Sequence, residues 1–164
     1  MSILKYERRT PKTMQEMYDY LVDTNKTGNS HIFGLGVNPM YAVSEMEYVQ
    51  RIYRAYTIVH PYIQVIFCFD RGINLELPQI RDICISIGYC LIDDERQVLG
   101  AIHYKETDKV HCHYMINYVG IHGMLYRQEY CIYHYYRKAN EILSAYGLNT
   151  LPVYGMESSV RMCI

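Results

Sequence analysis

The sequence has no tryptophan, only three phenylalanines and no long apolar run. The last of these absences is the most informative, because a transmembrane helix needs roughly 18 or more consecutive apolar residues. The first nine residues also lack the extended apolar segment of a secretory signal. We therefore expect a cytoplasmic protein without a membrane span.

Paired cysteines are absent as well. The chain has six cysteines but no Cys-x-x-Cys pair, and most of the six lie inside apolar runs. A disulfide framework or a zinc ribbon would need regular or paired spacing. The pattern instead predicts small buried thiols in a reducing compartment.

An excess of positive charge is also missing, since the formal net charge is −1. This argues against a protein that binds polyanions over its whole surface. A local basic face is still compatible with the sequence, because Arg8, Arg9 and Lys12 cluster near the start and Arg137-Lys138 follow on a late helix. These charges could equally form an ordinary solvated surface. The 19 tyrosines predict packing in the core and at its rim, and some could stack on bases.

The segment from residue 109 to 119 is the most distinctive that the sequence does contain. It reads KVHCHYMINYV, which is largely apolar or aromatic and is typical of a buried β-strand. Side chains two apart on a strand share a face, so His111 and His113 point one way and Cys112 points the other. Two such histidines are either satisfied by hydrogen bonds in a core or form half of a metal site.

A third histidine favours the metal site. His103 lies on the preceding apolar run, and a hairpin between the two strands would bring it to the face shared by His111 and His113. Three imidazoles suit a divalent metal such as zinc or manganese and leave positions open for a substrate oxygen. His122 follows the strand between two glycines, in a predicted turn, and is the competing ligand.

The order of elements predicts a single α+β domain. We expect amphipathic helices over residues 12–23, 42–58, 77–87 and 129–146. We expect strands over residues 2–8, 31–37, 62–69, 98–104 and 110–119. Gly88 and Gly147 are expected to end the helices before them. The result is a central, mainly antiparallel sheet of about five strands flanked by helices, with a domain over residues 1–150 and a C-terminal tail over 151–164.

The histidine motif and its surroundings resemble those of a known family. His111-Cys112-His113, followed by Asn117, is similar to the His-hydrophobe-His motif of relaxases, the mobilisation endonucleases of plasmids and conjugative elements. His103 matches the family's upstream histidine, although it stands eight residues before His111 where seven is usual. Asp108 matches an aspartate three residues before the pair. By the resemblance, Asp108 could orient a ligand histidine from outside the metal's own shell; it could equally be a turn residue.

The resemblance extends to the N-terminal part of the chain. The segment from Tyr20 to Thr27 resembles the family's nucleophile segment, in which a helix carries the catalytic tyrosine before an Asp/Asn-x-x-Lys-Thr loop. The similarity covers roughly residues 3–148. It implies a metal-dependent, site-specific endonuclease and strand transferase that uses Mg, Mn or Zn, with Tyr20 as the nucleophile and a 5′-phosphotyrosine adduct as its product.

Three alternatives stay open at the level of sequence. Rolling-circle replication initiators and some transposases share the metal motif but carry their tyrosine on a later helix, which would be Tyr133 or Tyr136 here. A catalytically silent DNA- or protein-binding domain is the third. The relaxase resemblance further implies single-stranded DNA at an origin of transfer as the substrate, together with accessory mobilisation proteins. Arg8, Arg9, Lys12 and Lys26 are the expected DNA-binding residues.

Overall fold

The computed structural model describes residues 2–7, 13–55, 60–92, 95–105, 108–126 and 132–152, with only the backbone of residues 6, 7 and 132–134. Four α-helices and five β-strands lie within these ranges. The strands are β1 (Ile3–Glu7), β2 (Ile32–Leu35), β3 (Tyr62–Cys68), β4 (Val98–His103) and β5 (His111–Asn117). The helices are α1 (Met14–Leu21), α2 (Ala42–Ile52), α3 (Leu77–Cys90) and α4 (Ile132–Ala145). Short 3-10 helices over Asn29–His31 and Pro39–Tyr41 precede β2 and α2.

The five strands form one antiparallel sheet in the order β1-β3-β5-β4-β2. The predicted α+β architecture with a central antiparallel sheet is therefore confirmed. β4 and β5 form the predicted hairpin, and its register places His103 directly opposite His111. β5 is the central strand, so both of its edges are hydrogen-bonded to neighbours.

Alternation along β5 divides the core into two layers. Cys112, Tyr114 and Ile116 face the larger layer, which is completed by α3 and α4. Met115 faces the smaller layer together with apolar side chains of α1 and α2. Because of the period of two, His111 and His113 lie on the side of α1 and α2.

Several helix boundaries differ from those expected from the sequence. α1 begins after Thr13, whose side chain accepts from the Glu16 backbone N–H while the Glu16 carboxylate accepts from the Thr13 backbone N–H. α2 ends at Ile52 rather than at residue 58. The prediction that Gly88 ends α3 was wrong, since the helix continues to Cys90.

Gly88 instead allows α3 to approach the sheet closely. A Cβ at this position would lie 2.8 Å from Leu35 Cδ1 and 3.3 Å from Tyr114 Cε1. Gly147 does follow the end of α4 with a left-handed φ of 68°, and the Leu148 N–H bonds back to Leu143 O. No helix in the described ranges is long and apolar enough to cross a membrane. The predicted tail lies largely outside the described residues, and the division near residue 150 stays a prediction.

Candidate active site

Three histidines meet at the turn end of the β4–β5 hairpin, on the face of the sheet that α1 covers. The ring centroids of His103, His111 and His113 are 4.7–5.4 Å apart. One potential ligand atom from each ring lies within 4.8 Å of the others. His103 and His113 are buried and His111 is half-buried. Within the described residues, this is the one group of three or more His, Cys, Asp or Glu side chains with such spacing.

Backbone carbonyls determine which nitrogen two of these rings leave free. His103 Nε2 lies 3.0 Å from Leu21 O, and His111 Nδ1 lies 2.8 Å from Lys109 O. A carbonyl can only accept, so each of these nitrogens carries the ring proton and donates it. In the neutral rings this leaves Nδ1 of His103 and Nε2 of His111 with unprotonated lone pairs. A metal-bound imidazole usually donates its other ring N–H to such a carbonyl, which we call the outer partner of the ring. The residues therefore fit a divalent metal.

Tyr20 completes the group from α1. Its hydroxyl oxygen lies 3.4 Å from His113 Nε2, and its ring packs edge-on against His103 and His113 with centroids 5.4 and 5.2 Å away. The position follows from the amphipathic pattern of the helix. Met17 and Leu21 are buried in the layer beneath, so the side chain of Tyr20 lies at the edge of that layer and is partly exposed.

The loop after α1 brings a positive charge beside Tyr20. Lys26 Nζ lies 4.1 Å from the centroid of the Tyr20 ring and 3.1 Å from Asp23 Oδ2. The loop is held at the end of β4, because the Tyr104 and Lys105 N–H groups both donate to Lys26 O. Tyr20 and Lys26 are therefore fixed next to the three histidines by the backbone.

Burial keeps His103 and His113 neutral. It is the largest cause that lowers the pKa of His113 to about 2, followed by the positive charges of protonated His103 and His111 and of Lys26. Burial also lowers the pKa of His103, against the opposing effect of its hydrogen bond to Leu21 O. Neutral imidazole is the form that binds a metal. His103 and His113 are consequently uncharged at neutral pH.

This depressed pKa predicts that the metal-free protein is destabilised by acid. Below about pH 6.5 an unfolded chain protonates His113, whereas the folded chain does so only near pH 2. The unfolded state then binds more protons, so stability is complete above pH 6.5 and declines as the pH falls, by up to about 1.4 kcal/mol per pH unit for one histidine. Urea unfolding in a chelating buffer at pH 7 and pH 5 should show a loss of roughly 2 kcal/mol.

The variant His113→Gln should lose most of this slope, while His122→Gln should keep it, since His122 is exposed and pairs with Glu95 at 3.0 Å. An unfolding free energy that is equal at pH 7 and pH 5 in the wild-type protein would contradict the assignment.

Gln64 is a residue of the site that the sequence analysis missed. Its side chain is buried on β3, with Nε2 3.0 Å from His113 Nδ1. The available signal was a single amide in the middle of the otherwise apolar strand YIQVIFC. A buried amide requires a hydrogen-bond partner. The sequence did not show that this partner is His113, two residues before Met115, which lies opposite Gln64 in the β3–β5 register.

The other predicted site residues lie apart from this group or outside the described ranges. Asp108 is exposed in the turn between β4 and β5. The hydrogen bonds found for the three rings go to Tyr20, Leu21, Gln64 and Lys109, and the role of Asp108 stays a prediction. Arg8, Arg9 and Lys12 lie outside the described residues.

The late helix α4 lies on the other side of the sheet, and with it Tyr136. α4 packs in the layer that contains Cys112 and Tyr114, and the hydroxyl of Tyr136 donates to Leu4 O at 2.6 Å. The side chain of Tyr133 lies outside what the structure describes. Tyr20 thus contacts His103 and His113, whereas Tyr136 lies on the other side of the sheet.

Comparison with known proteins agrees with this geometry. The chain matches the family model described as "Relaxase: MobA/VirD2-like, nuclease domain" over residues 9–148. No curated protein matches it at a significant level. The matched range contains Tyr20, Lys26, Gln64 and all three histidines. The resemblance noted from the sequence is thereby confirmed, and the chain belongs to the relaxase family as a MobA/VirD2-like nuclease domain.

Proposed function

We propose that this chain is a metal-dependent endonuclease and strand transferase that nicks one DNA strand at an origin of transfer and remains linked to the 5′ phosphate. At the family level a relaxase nuclease domain is a DNA-nicking enzyme. The observation that carries the finer proposal is the position of Tyr20, whose hydroxyl oxygen lies 3.4 Å from His113 Nε2 beside a cluster that fits a metal.

The chain's own residues supply the nucleophile and its setting. The Tyr20 oxygen attacks phosphorus, the new phosphotyrosine bond forms, and the bond from phosphorus to the 3′ oxygen breaks. The departing oxygen takes up a proton, and the tyrosine gives up its own. Lys26 Nζ, 4.1 Å from the ring centroid, puts a positive charge beside the tyrosine where a phosphate would approach. A metal on His103, His111 and His113 would polarise the phosphoryl oxygen and stabilise the charge of the transition state.

The adduct explains the transferase half of the proposal. A phosphotyrosine ester retains the free energy of the cleaved phosphodiester, so a later 3′ hydroxyl can displace Tyr20 and rejoin the strand. The proposed setting is the cytoplasm, on plasmid or conjugative-element DNA, with accessory mobilisation proteins as partners at the origin.

The experiment that tests the function is adduct formation. Purified protein is incubated with a pool of labelled single-stranded oligonucleotides and Mn²⁺, and denaturing electrophoresis detects label that migrates with the protein. We expect a labelled band that chelator prevents and protease removes. Cleavage without any covalent band would favour a metal-dependent hydrolase, and binding with neither cleavage nor adduct would favour the silent DNA-binding domain.

Lys26 lies beside Tyr20 and is proposed as a contact to a DNA phosphate, which yields a separate prediction. Lys26→Gln should weaken binding of single-stranded DNA and reduce the slope of log K against log salt by about 0.7, the value for one phosphate contact on a single strand. Lys138→Gln is the matched control, because Lys138 lies on α4, on the opposite side of the sheet.

Both variants lose one positive charge, so a general effect of net charge would appear in each. Fluorescence anisotropy at four or five salt concentrations measures the two slopes. Equal slopes for Lys26→Gln and the wild-type protein would show that Lys26 contacts no phosphate.

A further inference from the structure

The carboxamide of Gln64 is positioned to choose the tautomer of His113. Gln64 lies on β3, the strand paired with β5 on the side away from β4, and is only 6% exposed. Its Nε2 lies 3.0 Å from His113 Nδ1. The other two histidines present their outer nitrogens to backbone carbonyls, which cannot donate. His113 alone of the three has an outer partner that can either donate or accept.

The amide orientation found here does not suit metal binding. When the Gln64 amide N–H donates to Nδ1, that nitrogen is the acceptor and the proton of the neutral ring is on Nε2. Nε2 is the nitrogen that faces the Tyr20 oxygen at 3.4 Å. A protonated nitrogen has no lone pair for a metal, so in this orientation His113 is in contact with Tyr20 and is closed as a ligand.

A rotation of the amide reverses the arrangement. Turning the Gln64 carboxamide by a half-turn about its terminal torsion places Oε1 where Nε2 was, and this torsion has broad, roughly two-fold preferences. Oε1 accepts from Nδ1, which then carries the ring proton, and the lone pair of Nε2 becomes free. The ring stays neutral throughout, because one proton leaves Nε2 and one arrives at Nδ1.

We propose that Gln64 is a positioning residue whose amide rotation switches His113 between a tautomer that contacts Tyr20 and a tautomer that binds the metal. The inference rests on the proposed function in one respect, namely that the three histidines hold a divalent metal. Beyond that function, we infer that His113 becomes available as the third ligand only when the Gln64 amide rotates. The free-energy cost of this rotation lowers the affinity for the metal.

Two substitutions separate the two orientations. Gln64→Glu keeps the length and branching of the side chain, and an ionised carboxylate can only accept, so it holds His113 in the metal-binding tautomer. Gln64→Met keeps the length but removes both the donor and the acceptor. Gln97→Glu is the matched control, since Gln97 is also buried and its Oε1 accepts from Asn117. It lies six residues before His103, roughly 20 Å along β4.

Calorimetric titration with Zn²⁺ measures the effect on affinity. We expect Gln64→Glu to bind at least tenfold more tightly than the wild-type protein, and Gln64→Met to bind about 10- to 100-fold more weakly, as is typical when the outer partner of a ligand histidine is lost. Gln97→Glu should equal the wild type. An affinity of Gln64→Glu at or below that of the wild type would overturn the proposal.

Nitrogen-15 spectra of the histidine rings report the switch directly and need no activity. In the metal-free wild-type protein, we expect His113 with its proton on Nε2, and on Nδ1 after Zn²⁺ is added. Metal-free Gln64→Glu should already have the proton on Nδ1. A wild-type ring protonated at Nδ1 without metal would overturn the proposal even if Gln64→Met failed to fold. Absence of Zn²⁺ binding by the wild-type protein would instead contradict the metal site of the proposed function. The metal-free spectra would still show which nitrogen of His113 carries the proton, and so test the role of the Gln64 amide.

Discussion

Tyr20→Phe should abolish the covalent protein–DNA band while leaving the fold and the affinity for single-stranded DNA essentially unchanged. The substitution removes one oxygen, and that oxygen is the proposed nucleophile, 3.4 Å from His113 Nε2. The ring remains to pack against His103 and His113. A large loss of adduct with intact binding is the result expected of a residue that acts only in the chemical step.

Two other tyrosines provide the controls for this experiment. Tyr18→Phe changes a tyrosine on the same helix that packs against the core of the smaller layer, and it should retain the adduct. Tyr136→Phe removes a hydroxyl that donates to Leu4 O in the larger layer, and this variant should retain the adduct as well. If Tyr20→Phe still forms the adduct and Tyr136→Phe does not, the replication-initiator alternative replaces the relaxase mechanism.

The shared face of the histidines was predictable because strand geometry is strictly local. The period of two places His111 and His113 together in any sheet, and the hairpin brings β4 alongside. The exact register is not local. His103 lies opposite His111, a pairing that depends on how the chain reverses between the two strands. Sequence patterns alone do not determine that outcome.

Features that depend on contacts between distant elements could not be read from the sequence. Gln64 is 49 residues from His113 along the chain, and the sequence of its own strand does not indicate which residue it bonds to. Gly88 looked like a helix end because glycine is common there, but its function is to let α3 approach Leu35 and Tyr114. The resemblance to relaxases already indicated Tyr20, but the sequence did not show that α1 and α4 lie on opposite faces of the sheet.

His103→Ala should reduce the affinity for Mn²⁺ or Zn²⁺ by more than about 100-fold, the upper end of the loss typical for outer partners, since a direct ligand is removed. His103 is buried, its Nε2 donates to Leu21 O, and its Nδ1 is therefore the free nitrogen. The centroid of its ring is 4.7 Å from that of His113 and 5.4 Å from that of His111. With two ligands left, the ion would need further water molecules to complete its shell.

His122→Ala is the control that decides between the two candidate third ligands. His122 follows β5 in sequence, but its Nε2 pairs with Glu95 Oε2 at 3.0 Å on the surface, away from the cluster of three. The affinity of this variant in the same calorimetric titration should equal that of the wild-type protein. Because alanine at position 103 also leaves Leu21 O without its donor, thermal unfolding without metal serves to separate a loss of stability from a loss of ligation. If His122→Ala bound the metal much more weakly and His103→Ala still bound it tightly, the third ligand would be His122 and not His103.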